Sequence, residues 1–182
     1  MSTYPNAYRL EALKRLGINV STLGCVMLDV RPMALAPLIP SEWAHTSTHP
    51  NRSHITGIQT EHHMTLLYGL LENAHHWLTA IDEVLDGWEQ KTLIITDQIE
   101  VFRSPFPDEP YSCIVARQSD TDPRILDAHH RLSMLPHINT FPGYKPHITL
   151  AYVKPEFEQD AVDLLDGEIE FYSLGLNYGT KP

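Results

Sequence analysis

An order of parts that occurs twice constrains this chain more than any single residue does. In the first copy, an apolar run over His62–Tyr68 is closed by Gly69, and residues 72–86 carry Trp77, Leu78, Ile81, Val84 and Leu85 at helical spacing. Asp86-Gly87 ends that helix. Thr92–Ile95 then continues through Ile99, Val101 and Phe102 as one or two strands. The second copy runs His147–Val153, a helix over 156–166, Asp166-Gly167, and a strand over 169–176. From His63 to Gly87 is 24 residues, and from His147 to Gly167 is 20. A chain that repeats its own layout folds as two like halves around a shared core. The expected architecture is therefore a single bilobal domain over 1–182, with pseudo-repeat lobes at 20–104 and 110–178 and strands exchanged between them. Its class is α+β, with two antiparallel or mixed sheets lining a central cleft and helices outside.

The remaining segments fit around this frame. Leu10, Leu13 and Leu16 share a helical face over residues 7–16, stopped by Gly17, and residues 20–30 read as a strand. Residues 31–61 hold five prolines and glycines among many Ser, Thr and His. A connection of that length suggests a lid, a binding loop or a mobile insert. Tyr111–Ala116 is strand-like, Asp122-Pro123 supplies a cap and first-turn proline for a helix over 123–134, and 141–146 is a turn.

Each half opens its motif strand with the same chemistry, His63-Met64-Thr65-Leu66 and His147-Ile148-Thr149-Leu150. Residues two apart on a strand share a face, so each copy offers an imidazole beside a hydroxyl. Cleaving a phosphodiester needs a base for the attacking oxygen and an acid for the leaving one. Histidine, with a reference pKa of about 6.5, serves either role near neutral pH. The expected catalytic set is His63 and His147 as acid and base in unassigned order, with Thr65 and Thr149 donating to phosphate oxygens. One His-x-Thr alone is usually a strand former beside a surface histidine; two copies in repeated surroundings carry the argument. No metal or other cofactor is required, and attack by a ribose 2′-hydroxyl would leave a 2′,3′-cyclic phosphate.

Other histidines are weaker candidates. His54-Ile55-Thr56 has the same form but lies in the irregular segment, followed at once by Gly57, and reads as loop. His62 faces away from Thr65 on the strand and reads as structural. His45, His49 and His54 raise zinc as a rival, yet no cysteine lies near and no compact four-ligand spacing closes. Neither His75-His76 nor His129-His130 forms an i,i+4 pair, and His137 reads as loop. For substrate binding, Trp43, Tyr68 and Tyr144 are the aromatics able to stack on bases, and Lys145 the cation adjacent to a motif. Glu168, sharing a face with Glu170, is a candidate for a base edge. Trp77 and Trp88 suit the core, as do Cys25 and Cys113, with no disulfide framework between them.

Composition narrows the partners. The formal net charge is −10, from 13 basic and 23 acidic residues, with basic residues scattered singly apart from Lys14-Arg15. Long nucleic acids are normally held by clustered cations, so a small nucleotide substrate is expected and a polymer is not. No apolar run reaches 18 residues and the N-terminus lacks a secretory pattern, so neither a membrane span nor export is expected. The expected state is a cytoplasmic monomer or weak oligomer.

The paired motifs resemble the 2H phosphoesterase superfamily over residues 20–176. Within it, Glu61-His62-His63-Met64-Thr65-Leu66-Leu67-Tyr68-Gly69-Leu70 and Pro146-His147-Ile148-Thr149-Leu150-Ala151-Tyr152 look like the phage anti-CBASS protein 1 family. That resemblance implies a catalytic quartet of His63, Thr65, His147 and Thr149. It also implies metal-free hydrolysis of 3′–5′ linkages in cyclic di- and trinucleotides, the alarm signals of bacterial antiphage defence, inside an infected host. An aromatic clamp over the bases is implied as well, which suits the long segment with Trp43. The alternatives are a 2′,3′-cyclic or 2′,5′-phosphodiesterase acting on RNA ends or short oligonucleotides, and a binding protein that sequesters a cyclic nucleotide uncut.

Overall fold

Strands form where the apolar runs predict them: β1 (Gly24–Pro32), β2 (His62–Leu70), β3 (Leu93–Thr96), β4 (Gln98–Arg103), β5 (Ser112–Arg117), β6 (Ile148–Val153) and β7 (Ile169–Thr180). The computed structural model describes residues 15–19, 22–33, 39–139 and 143–180. The helix expected over 7–16 falls outside them except for its last two positions, and so does part of the turn at 141–146. The other helices are α1 (Leu78–Val84), α2 (Pro123–Leu132) and α3 (Glu158–Leu165). Asp122 caps α2 by accepting from the Arg124 N–H at 2.8 Å, with Pro123 in the first turn. Two expected helices begin as 3-10 turns, Ala74–Trp77 before α1 and Pro155–Phe157 before α3. Each turn gives way to α-helix at an aromatic, Trp77 or Phe157.

Where two sheets are expected, the described strands make one seven-stranded antiparallel sheet in the order β3-β7-β1-β2-β6-β5-β4, with the helices outside it. The motif strands are the reason, because β2 and β6 pair with each other at Met64↔Ile148 and join the halves. The ladder there is short. Beyond it β6 turns to the segment leading into β2, through bridges Ala44↔Val153 and Ile58↔Ala151. In the same way β2 turns to the segment leading into β6, through Leu70↔His137. Ile138 N–H donates to the Gly69 carbonyl at 2.7 Å. So close an approach requires glycine: at φ +104° an added Cβ would lie 2.2 Å from the Ile138 carbonyl oxygen.

Two strands sit away from the half that precedes them in sequence. β7 pairs with β1 and β3, while β4 pairs with β5. Asp97 alone separates β3 from β4, yet those strands occupy opposite edges of the sheet. The sheet must therefore curl until its edges meet at that residue. The main core lies between the sheet and the helices. Fully buried Leu28, Met64, Ile114 and Ile148 meet Ile81 of α1, Ile125 and Leu132 of α2, and Ala161 of α3. A second, smaller cluster of Ile55, Tyr111, Cys113 and Val115 lies under the long segment. No helix among the described residues is long and apolar enough to cross a membrane.

Candidate functional site

The narrow ladder between β2 and β6 determines what the motifs present. Met64 and Ile148 face each other and are fully buried on the core side. Their neighbours point the opposite way, so His63, Thr65, His147 and Thr149 emerge together on the other face. One antiparallel step to either side sets His63 against Thr149 and Thr65 against His147. His63 stands close enough to His147 for its charge to disfavour protonation of that ring. His63 is exposed and the other three are half-buried.

Both motif strands then do the same unexpected thing. The pairing of β1 with β2 slips by one residue between Val26 and Met27, and that of β5 with β6 slips between Ile114 and Val115. The residues skipped are Leu66 and Leu150, which are both buried. Each slip is a β-bulge that restores a tyrosine to the motif face. Tyr68 then stands opposite Cys25, and Tyr152 opposite Cys113. The repeating unit is thus His-x-Thr-Leu-x-Tyr, bent at its leucine.

The imidazole of His147 is held firmly. Its Nδ1 lies 2.9 Å from the Lys145 carbonyl oxygen. A carbonyl only accepts, so Nδ1 carries the proton and Nε2 keeps the lone pair in the neutral ring. The Phe102 ring packs against it in a T-shaped arrangement, with ring centroids 4.9 Å apart. Burial lowers the His147 pKa, the Lys145 bond opposes this, and Arg117 and His63 depress it further while Glu100 raises it. His63 is lowered too. Although water reaches it, the surrounding protein desolvates the ring; Asp29, opposite it on β1, pulls upward and His62 lowers.

Around the quartet, other residues complete the backbone where the strands part. Tyr144 donates from its hydroxyl to the Thr65 carbonyl at 3.0 Å, and His129 donates from Nδ1 to the Leu66 carbonyl at 2.7 Å. Their rings stack at 3.7 Å. His62 donates to the Thr149 carbonyl at 3.1 Å, with its ring edge-on to Phe171. Burial raises the Cys113 thiol to about 12, and its hydrogen bonds to Thr149 and Tyr152 only partly offset this.

The residues expected to bind bases have varied positions. Tyr68 lies on the motif face, half-buried. Tyr144 is committed to His129 and Thr65 and packs on the main core. Trp43 stacks on Phe157 at 5.5 Å, also against the core. Lys145 is exposed, its Nζ 3.8 Å from Glu100. Glu168 is exposed at the head of β7; Gly175, seven residues on, is the β7 residue level with Asp29. The described part of the long segment is pinned to β6, and Ile55 of the His54-Ile55-Thr56 decoy anchors the second cluster. His45 contacts Glu109 at 3.4 Å. Among the described residues no group of three or more His, Cys, Asp or Glu stands close enough to hold a metal ion.

Asp29, Glu100, Phe102 and Arg117 beside the motifs were not anticipated from the sequence. A signal for two of them was present. Cys25-Val26-Met27-Leu28-Asp29 and Cys113-Ile114-Val115-Ala116-Arg117 precede their motif strands and occupy matching registers, so the duplication extends to the flanking strand. A scan against protein-family models and a search of curated proteins find no match to this chain.

Proposed function

We propose that this chain is a metal-independent phosphodiesterase that cleaves 3′–5′ linkages of cyclic di- or trinucleotides by two-histidine acid–base catalysis. The observation that carries this reading is the emergence of His63, Thr65, His147 and Thr149 on one face, at the one point where the two motif strands pair. A phosphate seated there has an imidazole on either side and a hydroxyl beside each. The Nε2 lone pair of His147, freed by the Lys145 contact, suits proton transfer. The narrow seam, with matching strands to either side, is compatible with the bilobal organisation of the 2H phosphoesterase superfamily. Tyr68 is the aromatic best placed to meet a base. Trp43 and Tyr144, held by core contacts, serve as supports. On the same reading, the biological role is removal of a nucleotide alarm signal in the cytoplasm of a phage-infected bacterium.

The test is a substrate panel with EDTA present: cyclic dinucleotides, cyclic trinucleotides, linear 2′,5′-oligoadenylates and RNA ending in a 2′,3′-cyclic phosphate. Cleavage of the cyclic dinucleotides or trinucleotides is expected. His63→Ala and His147→Ala should each lower turnover by about 10²–10⁴-fold with the melting temperature little changed. Opening of RNA ends alone would overturn the substrate class. Tight nucleotide binding without cleavage would make the protein a sequestering module, and unaltered turnover in both variants would remove the mechanism.

A further inference from the structure

The two motif strands and the strands beside them occupy matching registers but carry opposite charges: Asp29 stands where the other half has Arg117, and Glu61 where it has Lys145. Counting from the paired cysteines, Asp29 occupies the β1 position that Arg117 occupies on β5. Asp29 stands directly across from His63. Continuing the β5–β6 register one step past Ala116↔Ile148 sets Arg117 level with His147. A pseudo-symmetric site is thus flanked by opposite charges, and two chemically identical histidines become unequal.

The neighbouring charges strengthen this asymmetry. The Asp29 carboxylate accepts from the Asn177 amide, 3.1 Å from each oxygen; that partner is neutral and leaves its charge intact. Arg31, next on the same face of β1, leans over the Tyr172 ring at 5.9 Å, and exposed Glu61 precedes β2. Near His147 are two cations, Arg117 and Lys145, and one carboxylate, Glu100, which bonds to Arg117 and lies 3.8 Å from Lys145. Among the described residues the buried Arg117 Nε has no hydrogen-bond partner, so Glu100 engages this guanidinium through Nη1 alone. Asp97 and Asp166 share a shallow depression with Arg117 and Glu100. Asp29 favours the protonated form of His63, whereas Arg117 disfavours that of His147 and outweighs the opposing Glu100.

We infer that Asp29 and Arg117 are positioning residues that divide the labour of the two histidines, making His63 the general acid and His147 the general base. This rests on the phosphodiesterase reading above. In the reaction, His147 Nε2 takes the proton of the attacking hydroxyl as its oxygen forms the new bond to phosphorus. The bond from phosphorus to the leaving oxygen breaks, and the proton of His63 passes to that oxygen. The step ends with His147 charged and His63 neutral, and exchange with solvent resets both. The Lys145 carbonyl fits this assignment, since it fixes the base nitrogen of His147 toward the open face.

The test is a ¹⁵N-histidine NMR titration of the full chain, alongside pH–rate profiles on whichever cyclic nucleotide is cut. In the unaltered protein His63 should hold its proton to higher pH than His147. D29N should lower the titration of His63 and move the alkaline limb of the rate profile to lower pH. R117Q should raise the titration of His147 and move the acidic limb to higher pH. In each variant the histidine facing the substituted residue should move more than the other, which a merely structural role would not produce. The reverse order in the unaltered protein, or D29N acting on the acidic limb, would overturn the assignment. The titration order is read without turnover, so an absence of cleavage would defeat the phosphodiesterase reading and leave this charge asymmetry separately measured.

Discussion

At the scale of single residues, much of what surrounds the motif face completes a backbone that leaves its ladder early. Thr65, Leu66 and Thr149 carry carbonyls at the parting of β2 and β6, and Tyr144, His129 and His62 donate to them. An unpaired buried carbonyl is costly, so a side-chain donor is the expected remedy. This is the part Tyr144 plays, while Trp43 stacks on Phe157. An aromatic beside a motif looks the same in one dimension whether it meets a ligand or a strand. The motif residues themselves were legible, because period-two spacing fixes their shared face. Gly69 offers the sharpest test at this scale. Gly69→Ala combines an unfavourable φ with an overlap at the Ile138 carbonyl. It should cost about 1–3 kcal/mol from backbone strain alone, and more from the overlap, read as a lowered urea midpoint. An unchanged midpoint would contradict the packing of 136–138 on β2.

At the scale of elements, strands and helices were largely readable, since long apolar patterns and the Asp122-Pro123 cap announce themselves. Two things were not. The bulges at Leu66 and Leu150 escape any reading by strict alternation, because the slip is visible only in the partner strand. The long segment lacks periodicity, and its order comes from contacts distant in sequence. Arg52 pairs with Glu109 at 2.9 Å and Asp108 at 3.2 Å and lies over the Phe106 ring at 3.7 Å, with Ile55 buried alongside. Those contacts clamp the segment to the loop between β4 and β5. Arg52→Ala should speed hydrogen exchange at the Ser47 and Gly57 amides, whose bonds to Ile55 and His45 lie within the clamped turn, and leave the core amides of β2 unchanged. Equal protection in variant and parent would mean the segment is held by β6 alone.

At the scale of the whole molecule, its response to acid follows from three histidines. His63, His129 and His147 are all lowered by the fold, with desolvation the leading cause in each. The unfolded chain, with ordinary values near 6.5, binds protons more readily than the folded one. Their contribution is therefore complete above that value and is lost as pH falls toward the depressed folded values. Asp97, Glu109 and Glu158, lowered chiefly by side-chain hydrogen bonds from Ser119, Ser47 and Arg103, extend the loss to more acidic solutions. The urea midpoint should drop between pH 7.5 and 5.5, and a flat or rising trend would refute the desolvation of these rings. The duplication in sequence predicts two sheets and gives no sign of one continuous sheet, since that depends on a single meeting point, Met64 with Ile148. Asp97 adds a restraint of another kind. It buckles the first and last ribbons of the array to each other, so drawing those ribbons apart would load the chain at that one residue.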